Sequence, residues 1–430
     1  MENNARIDFA RFGWLAVQYG AIVFVARALN LDSPLFVRAL SLCGVGFLIH
    51  YFAPFDLKKS LFVLVGLAVG WVLIAQPDPN MAVGVVHYVG SAVSLGAAIF
   101  LALLLFGCLR WQGPYRARVV TIILIAAGIA WLRSDNSVLP AAHWPVLCSL
   151  FMFRMIVYAY DVSSARQPET LMDFLTYIFL PPNFYFMLFP VVDYTTFKKS
   201  WYADDIHKTA QRGITLITRG ILQLCAYRLV YHLLPIEAAD VRDFGSLLHF
   251  ILPAYLMYTR ISGQFHVAVG LLHLFGYRLP DANRNYLLAD SFTDFWRRIN
   301  IYWKDFMVKV FYYPVYFRLR KKNERMALIV ATAVVFISTV LLHSYQWFWL
   351  QGTFQVTQSD LVFWGLLGVL VGVTVLRETA SGKSPAARRQ PSLPMRAVRI
   401  LGVYLTISVL WSMWSHGSVT GWFDTVQYWK

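Results

Sequence analysis

Charged side chains are scarce in this chain. They make up 14% of its 430 residues, where soluble domains carry about 25%. Cysteine is scarce as well. The four present, Cys43, Cys108, Cys148 and Cys225, sit in or beside apolar runs without metal-ligand spacing, which reads as buried single thiols and no metal site. No short apolar segment with a small-residue cleavage site follows Glu2, Arg6, Asp8 and Arg11, so the first apolar stretch is expected to stay in place as a span. No internal repeat is visible. Strict alternation of apolar and polar residues is missing too, which excludes a transmembrane barrel.

What the chain has in abundance is long apolar runs. Hydrophobic residues make up 58% of it. Leu61 to Ala75, Ala82 to Phe106, Val119 to Leu132 and Met326 to Leu342 are nearly free of charge. A bilayer-spanning helix needs roughly 20 mainly apolar residues, and backbone amides in lipid must be satisfied within the helix. The expected fold class is an all-α polytopic membrane protein with about ten to twelve membrane segments of that length, together with a re-entrant or amphipathic segment.

The net charge is +15. The basic residues stand at the ends of apolar runs, as the positive-inside rule requires, which argues against nucleic acid as a partner and for the lipid bilayer. Lys58-Lys59, Arg110 to Arg118, Lys198 to Arg212, Arg318 to Arg325 and Arg377 to Arg399 form basic loops. Gln76 to Asn80, Ser134 to Leu139, Pro235 to Asp243 and Gln351 to Asp360 are acidic or neutral. Alternation then puts the N-terminus in the cytoplasm and the C-terminus outside. It requires that Leu171 to Val192 either not cross or cross twice; the helix-breaking Pro181-Pro182 pair favours a re-entrant hairpin over residues 171–195. It also requires Gly245 to Phe275 to be one long segment bent at Ser262-Gly263. The whole chain, 1–430, reads as a single membrane domain in which 377–399 is a flexible cytoplasmic loop.

Asp281 to Lys322 is too polar for an ordinary span and too aromatic for a solvated loop. Ser291 and Asp294 have capping-box spacing, and Asp294 and Arg298 are spaced to pair on a helical face. Trp296, Asn300 and Trp303 follow at i, i+4 and i+7, placing Asn300 between two indoles. Two readings fit: an interfacial helix anchored by its aromatic and basic residues, or a helix that lends Asn300 to a cavity. His343 lies in the next span, roughly 27 Å along it at 1.5 Å per residue, past the midpoint. Gln346 and Trp347 share its face. An imidazole in a span is either a functional group facing a cavity or a packing residue, and spacing leaves both open. His266 and His273 share a face at i, i+7, too far apart for a two-histidine metal site. Arg154, Arg219, Arg228 and Arg260 are expected to pair with acids such as Asp161 or Asp173.

These residues also carry a family resemblance. Tyr258 to Gly263, Gly270-Leu271-Leu272, Gly276 to Pro280, Asn285-Tyr286-Leu287, Ser291 to Asn300, Tyr312-Tyr313-Pro314 and Leu342 to Trp347 stand in order. In that order and spacing the chain resembles the membrane-bound O-acyltransferases, and among them the bacterial branch that includes alginate O-acetylation and D-alanyl-transfer proteins. Asn300 stands where glycan-modifying members have a histidine, and where members acting on lipids and sterols use asparagine.

The resemblance implies a helical bundle with a central tunnel, a catalytic core over 245–352, and a bacterial inner-membrane location. It implies acyl transfer from a cytoplasmic thioester, acyl-CoA or an acyl-carrier protein, to a hydroxyl of a membrane-associated or exported acceptor, with no permanently bound cofactor. His343 would be the general base, since a neutral imidazole accepts a proton near pH 7. Asn300 would assist by donating to the thioester carbonyl or orienting the acceptor. Trp296, Trp303 and Trp347 would line the acyl tunnel, with Gln346 and Arg298 beside them. Two other classes remain: a catalytically silent scaffold working with an envelope-assembly partner, and a transporter.

Overall fold

The computed structural model describes residues 8–75, 85–111, 113–134, 144, 154–163, 170–181, 192–234, 236–380 and 391–428. Among them the regular elements are helical and no strand is found. In chain order the α-helices are α1 (Phe9–Ala28), α2 (Pro34–Phe52), α3 (Phe55–Ile74), α4 (Val85–Arg110), α5 (Tyr115–Ser134), α6 (Arg154–Ser163), α7 (Leu171–Ile178), α8 (Tyr194–Ser200) and α9 (Ile206–Leu233). There follow α10 (Phe244–Ile251), α11 (Tyr258–Leu274), α12 (Phe292–Arg298), α13 (Ile301–Met307), α14 (Tyr313–Leu319), α15 (Glu324–Gln351), α16 (Gln358–Ala380), α17 (Leu393–Ser415) and α18 (Val419–Val426).

Eight helices among the described residues are long and apolar enough to cross a membrane: α1 to α5 and α15 to α17. The chain is therefore a polytopic helical membrane protein. Two further long helices expected in the bundle are not among these eight. Helix α9 has 28 residues, but Lys208, Arg212, Arg219 and Arg228 punctuate it. Helix α11 has only 17.

The chain forms two compact units. One comprises Met1–Leu222, Gly263–Pro280 and Trp347–Thr353; the other comprises Gln223–Ser262, Asp281–Gln346 and Phe354–Lys430.

In the first unit, Lys58 on the opening turn of α3 donates to His50 O at 2.6 Å and Tyr51 O at 3.1 Å. These are end carbonyls of α2 that would otherwise lack partners. Lys59 pairs with Asp173 on α7, which also lies 3.4 Å from Lys198 on α8. Helix α7 stops before Pro181, as a Pro-Pro pair demands; the middle of the expected hairpin, 182–191, lies outside the described residues. Among the described residues, Arg154 meets no acid. It is buried and donates to Tyr177 O and Ile178 O at the end of α7, so carbonyls rather than a carboxylate hold this guanidinium.

Helix α11 is continuous through Ser262-Gly263, where a bend was expected. The break falls earlier, at Leu252-Pro253 between α10 and a short turn over Ala254–Met257, because proline cannot continue the hydrogen-bond ladder. Gly263 serves a different purpose. A Cβ on Gly220 would lie 2.6 Å from Gly263 O, and one on Gly213 would lie 2.7 Å from Gly270 O. Two glycines seven residues apart on α9 thus meet two at the same spacing on α11, and the backbones touch.

In the second unit, α16 begins with a reciprocal cap. Asp360 N–H donates to Thr357 Oγ1 at 3.0 Å and Thr357 N–H to Asp360 Oδ2 at 3.2 Å. The other carboxylate oxygen accepts from Trp414 Nε1 at 2.7 Å, fastening α16 to α17. Trp414 in turn stacks on Phe363, centroids 4.9 Å apart. Tyr404 OH donates to Leu252 O at 2.8 Å, which satisfies one carbonyl freed by the Pro253 break.

Candidate functional site

The polar segment starts as its spacing predicts. Ser291 caps α12, accepting from Asp294 N–H at 3.1 Å, and Arg298 Nε donates to Asp294 Oδ1 at 2.8 Å. Asp294 Oδ2 reaches one residue beyond the cap, to Asp290 N–H at 3.4 Å. Arg298 is thereby committed to an intrahelical ion pair.

The helix does not continue to Trp303 as its spacing suggests. It stops at Arg298, and a new helix starts at Ile301. Between them Asn300 stands at φ 42° and ψ 63°, in the left-handed region where asparagine is far better tolerated than most side chains. The i, i+4, i+7 face of Trp296, Asn300 and Trp303 is therefore broken. Trp296 packs on Phe336 of α15, centroids 5.0 Å apart, and Trp303 turns elsewhere.

Asn300 is the N-cap of α13. Its Oδ1 accepts from Trp303 N–H at 3.2 Å, and its own N–H donates to Asn283 Oδ1 at 2.8 Å. Capping fixes the sense of the amide, because only the carbonyl oxygen accepts. Nδ2 is left as the outward donor.

Trp303 joins Asn300 to His343. Its backbone meets the Asn300 side chain, and its indole lies 5.5 Å from the His343 imidazole, inclined 53°. On another side His343 stacks on Trp364 of α16 at 4.9 Å and 28°. Trp303 and Trp364 are buried, while the imidazole is only partly so. One face of the ring lies on Trp364 and Trp303 packs against it at a tilt, and among the described residues neither of its nitrogens has a hydrogen-bond partner. An imidazole held by ring contacts alone keeps both nitrogens for chemistry. Gln346 is buried and Trp347 exposed. Sequence spacing missed Trp364; its only signal is one more indole in an apolar span, and such residues are common packing groups.

Near this cluster an apolar groove of about 500 Å³ runs between α15 and α16. Ile329, Phe336, Ile337 and Leu341 line one wall, and Leu361, Gly365, Val369 and Gly372 the other. It ends at Leu341, two residues before His343. A Cβ on Gly365 would meet nothing within 4 Å, so the missing side chain is part of the open space. Trp296, Trp303 and Trp347 are not among its lining residues.

Two of the other histidines and arginines have contacts within the bundle. His273 Nδ1 lies 2.9 Å from Val269 O within α11, and the Arg260 guanidinium lies over the Tyr227 ring at 5.7 Å. No protein-family model matches the chain, and no curated protein is similar to it at a significant level.

Proposed function

We propose that this protein is a membrane-bound O-acyltransferase that moves an acyl group from a thioester to a hydroxyl, with His343 as general base. The observation that carries the reading is the grip on His343: two indoles fix the ring in an apolar span while its nitrogens have no partner among the described residues. Ionisable groups in spans are costly and usually serve a purpose.

The chemistry balances with few groups. A ring nitrogen of His343 takes the acceptor's hydroxyl proton as its oxygen attacks the thioester carbonyl carbon. The carbonyl oxygen gains the negative charge, and Asn300 Nδ2 donates to it. The C–S bond then breaks, and the imidazolium returns the proton to the leaving thiolate. The groove beside His343 suits the donor's or acceptor's hydrocarbon chain, with chemistry at its Leu341 end. In this reading the basic loops and the N-terminus face the cytoplasm and meet the phosphates of acyl-CoA or the acidic face of a carrier protein.

A second reading, a catalytically silent scaffold, draws on one observation. Capping and the left-handed turn account for Asn300 without any chemistry. The test is acyl transfer by the full chain in membranes, with acetyl-CoA and palmitoyl-CoA as probes and free thiol as the readout. His343→Ala and His343→Gln should both lose at least about a hundred-fold in kcat, the range for a general base. Wild-type turnover in either variant would remove His343 as the base.

A further inference from the structure

The break between α12 and α13 is not made by the two helices alone. The N–H of Asn300 has left the helical ladder and donates to Asn283 Oδ1 at 2.8 Å. On either side, Ile301 N–H donates to Ala282 O at 2.7 Å and Arg284 N–H to Arg298 O at 3.0 Å. Residues 282–284 therefore lie along the break as a splint, and a side-chain oxygen makes its central bond. Asn283 is 1% exposed, so it is unavailable to solvent and committed to the interior. Its Oδ1 also accepts from Tyr258 OH at 3.2 Å, which fixes the rotamer of the amide. Its Nδ2 is buried with no hydrogen-bond partner among the described residues. A buried amide with an unused donor is unfavourable, so the work of this residue lies in its oxygen.

We infer that Asn283 is a positioning residue whose side-chain oxygen holds Asn300 in its left-handed turn and so sets the Trp303 indole, on the helix that Asn300 caps, against His343. The chain of contacts is continuous: Tyr258 OH to Asn283, Asn283 to Asn300 N–H, Asn300 Oδ1 to Trp303 N–H, and Trp303 to His343. The consequence for turnover rests on the acyltransferase reading; the positional claim does not.

Two measurements on the full chain test it. The first is amide hydrogen exchange of wild type, Asn283→Ala, Asn283→Asp and Tyr258→Phe. Loss of one buried hydrogen bond should speed exchange at 299–303 about five-fold in Asn283→Ala, with peptides across α16 unchanged. Asn283→Asp keeps the accepting oxygen but replaces Nδ2 with a second oxygen that is costly to bury, so its exchange should fall between wild type and Asn283→Ala; Tyr258→Phe should show a smaller rise. Unchanged exchange in Asn283→Ala overturns the inference, and so does an aspartate variant that exchanges like alanine. If Asn283→Ala does not fold, Tyr258→Phe decides, and no rise there overturns it.

The second measurement is thiol release from acetyl-CoA and palmitoyl-CoA. Asn283→Ala should lower kcat about ten-fold through misplacement of Trp303 against His343, with KM within two-fold and partial rescue by Asn283→Asp. An unchanged kcat with altered exchange overturns the catalytic half. An inactive wild type that shows the expected exchange pattern removes the acyltransferase reading and leaves the positioning claim standing.

Discussion

The imidazole of His343 lies on the indole of Trp364, centroids 4.9 Å apart and planes inclined 28°. Trp364 is one helical turn beyond Asp360, whose carboxylate is fixed by Thr357 on one oxygen and Trp414 on the other. The surface beneath His343 is thus anchored through the start of α16. An aromatic pair of this kind contributes about 0.5–1.5 kcal/mol beyond area burial. If the stack orients the base, Trp364→Leu should lower kcat by up to about ten-fold, the rate equivalent of that energy. Trp364→Phe should retain most of it. Thiol release from acetyl-CoA is the measurement, and equal rates in the leucine and wild-type proteins would dismiss the stack as packing alone.

The groove between α15 and α16 offers a cleaner variant than most cavities. Because a Cβ on Gly365 meets nothing within 4 Å, Gly365→Leu fills space without overpacking. Removing a mid-helix glycine also favours the helix by roughly 0.5–1 kcal/mol, so stability should hold or rise. If the groove seats a hydrocarbon chain, KM for palmitoyl-CoA should rise several-fold and that for acetyl-CoA should not move. Equal effects on both donors, or none, would place the chain elsewhere.

How far the sequence reached depended on the range of the forces involved. The Ser291 cap, the Asp294–Arg298 pair and the stop before Pro181-Pro182 are local, and spacing alone disclosed them. The membrane spans follow from apolar run length. The turn at Asn300 does not, because its backbone is held by Asn283 seventeen residues away, and a helical pattern running through it looks uninterrupted. Ser262-Gly263 resembled a bend because glycine weakens helices, yet Gly263 is there so that Gly220 can approach it. Arg154 was matched to an acid on charge alone, whereas the end of α7 offered it carbonyls and Lys59 took Asp173. The Trp364 stack brings α16 onto α15, a relation that no periodicity within either helix encodes.

Asp173 gives a pH prediction outside the membrane-length helices. Its burial raises the carboxyl pKa, but the hydrogen bond and charge of Lys59, with Thr170 and Lys198, outweigh burial and hold it below the ordinary value. A depressed folded-state value means that stability is fully present above the unfolded pKa, about 3.9, and is lost as pH falls through the folded one. Lys59 and Lys198 are 32% and 42% exposed, so solvent screens the pair and about 1 kcal/mol is a fair scale. Asp173→Asn should lower stability by about that much at pH 7 and pH 5 alike. The gap from wild type should close only below about pH 4. Thermal unfolding across that range reads it, and a gap that closes between pH 7 and 5 would assign the linkage to another group.

Asn300 can be divided into its structural and chemical halves. Alanine at φ 42° would pay roughly 1–2 kcal/mol for the left-handed backbone and about 1 kcal/mol for the lost cap, so its loss of activity would say little. Glycine accepts the backbone freely and replaces a cap at a cost of only a few tenths of a kcal/mol. Aspartate keeps both the cap oxygen and tolerance of the turn, and replaces the Nδ2 donor with a second acceptor oxygen and a negative charge. With Asn300 as the donor to the developing oxyanion, Asn300→Gly and Asn300→Asp should both fold with nearly wild-type thermal stability. Each should lose about a hundred-fold in kcat, the usual cost of one such donor. With Asn300 as a cap and nothing more, Asn300→Asp should turn over like wild type. The aspartate variant thus separates the acyltransferase from the scaffold at the residue whose geometry fits both.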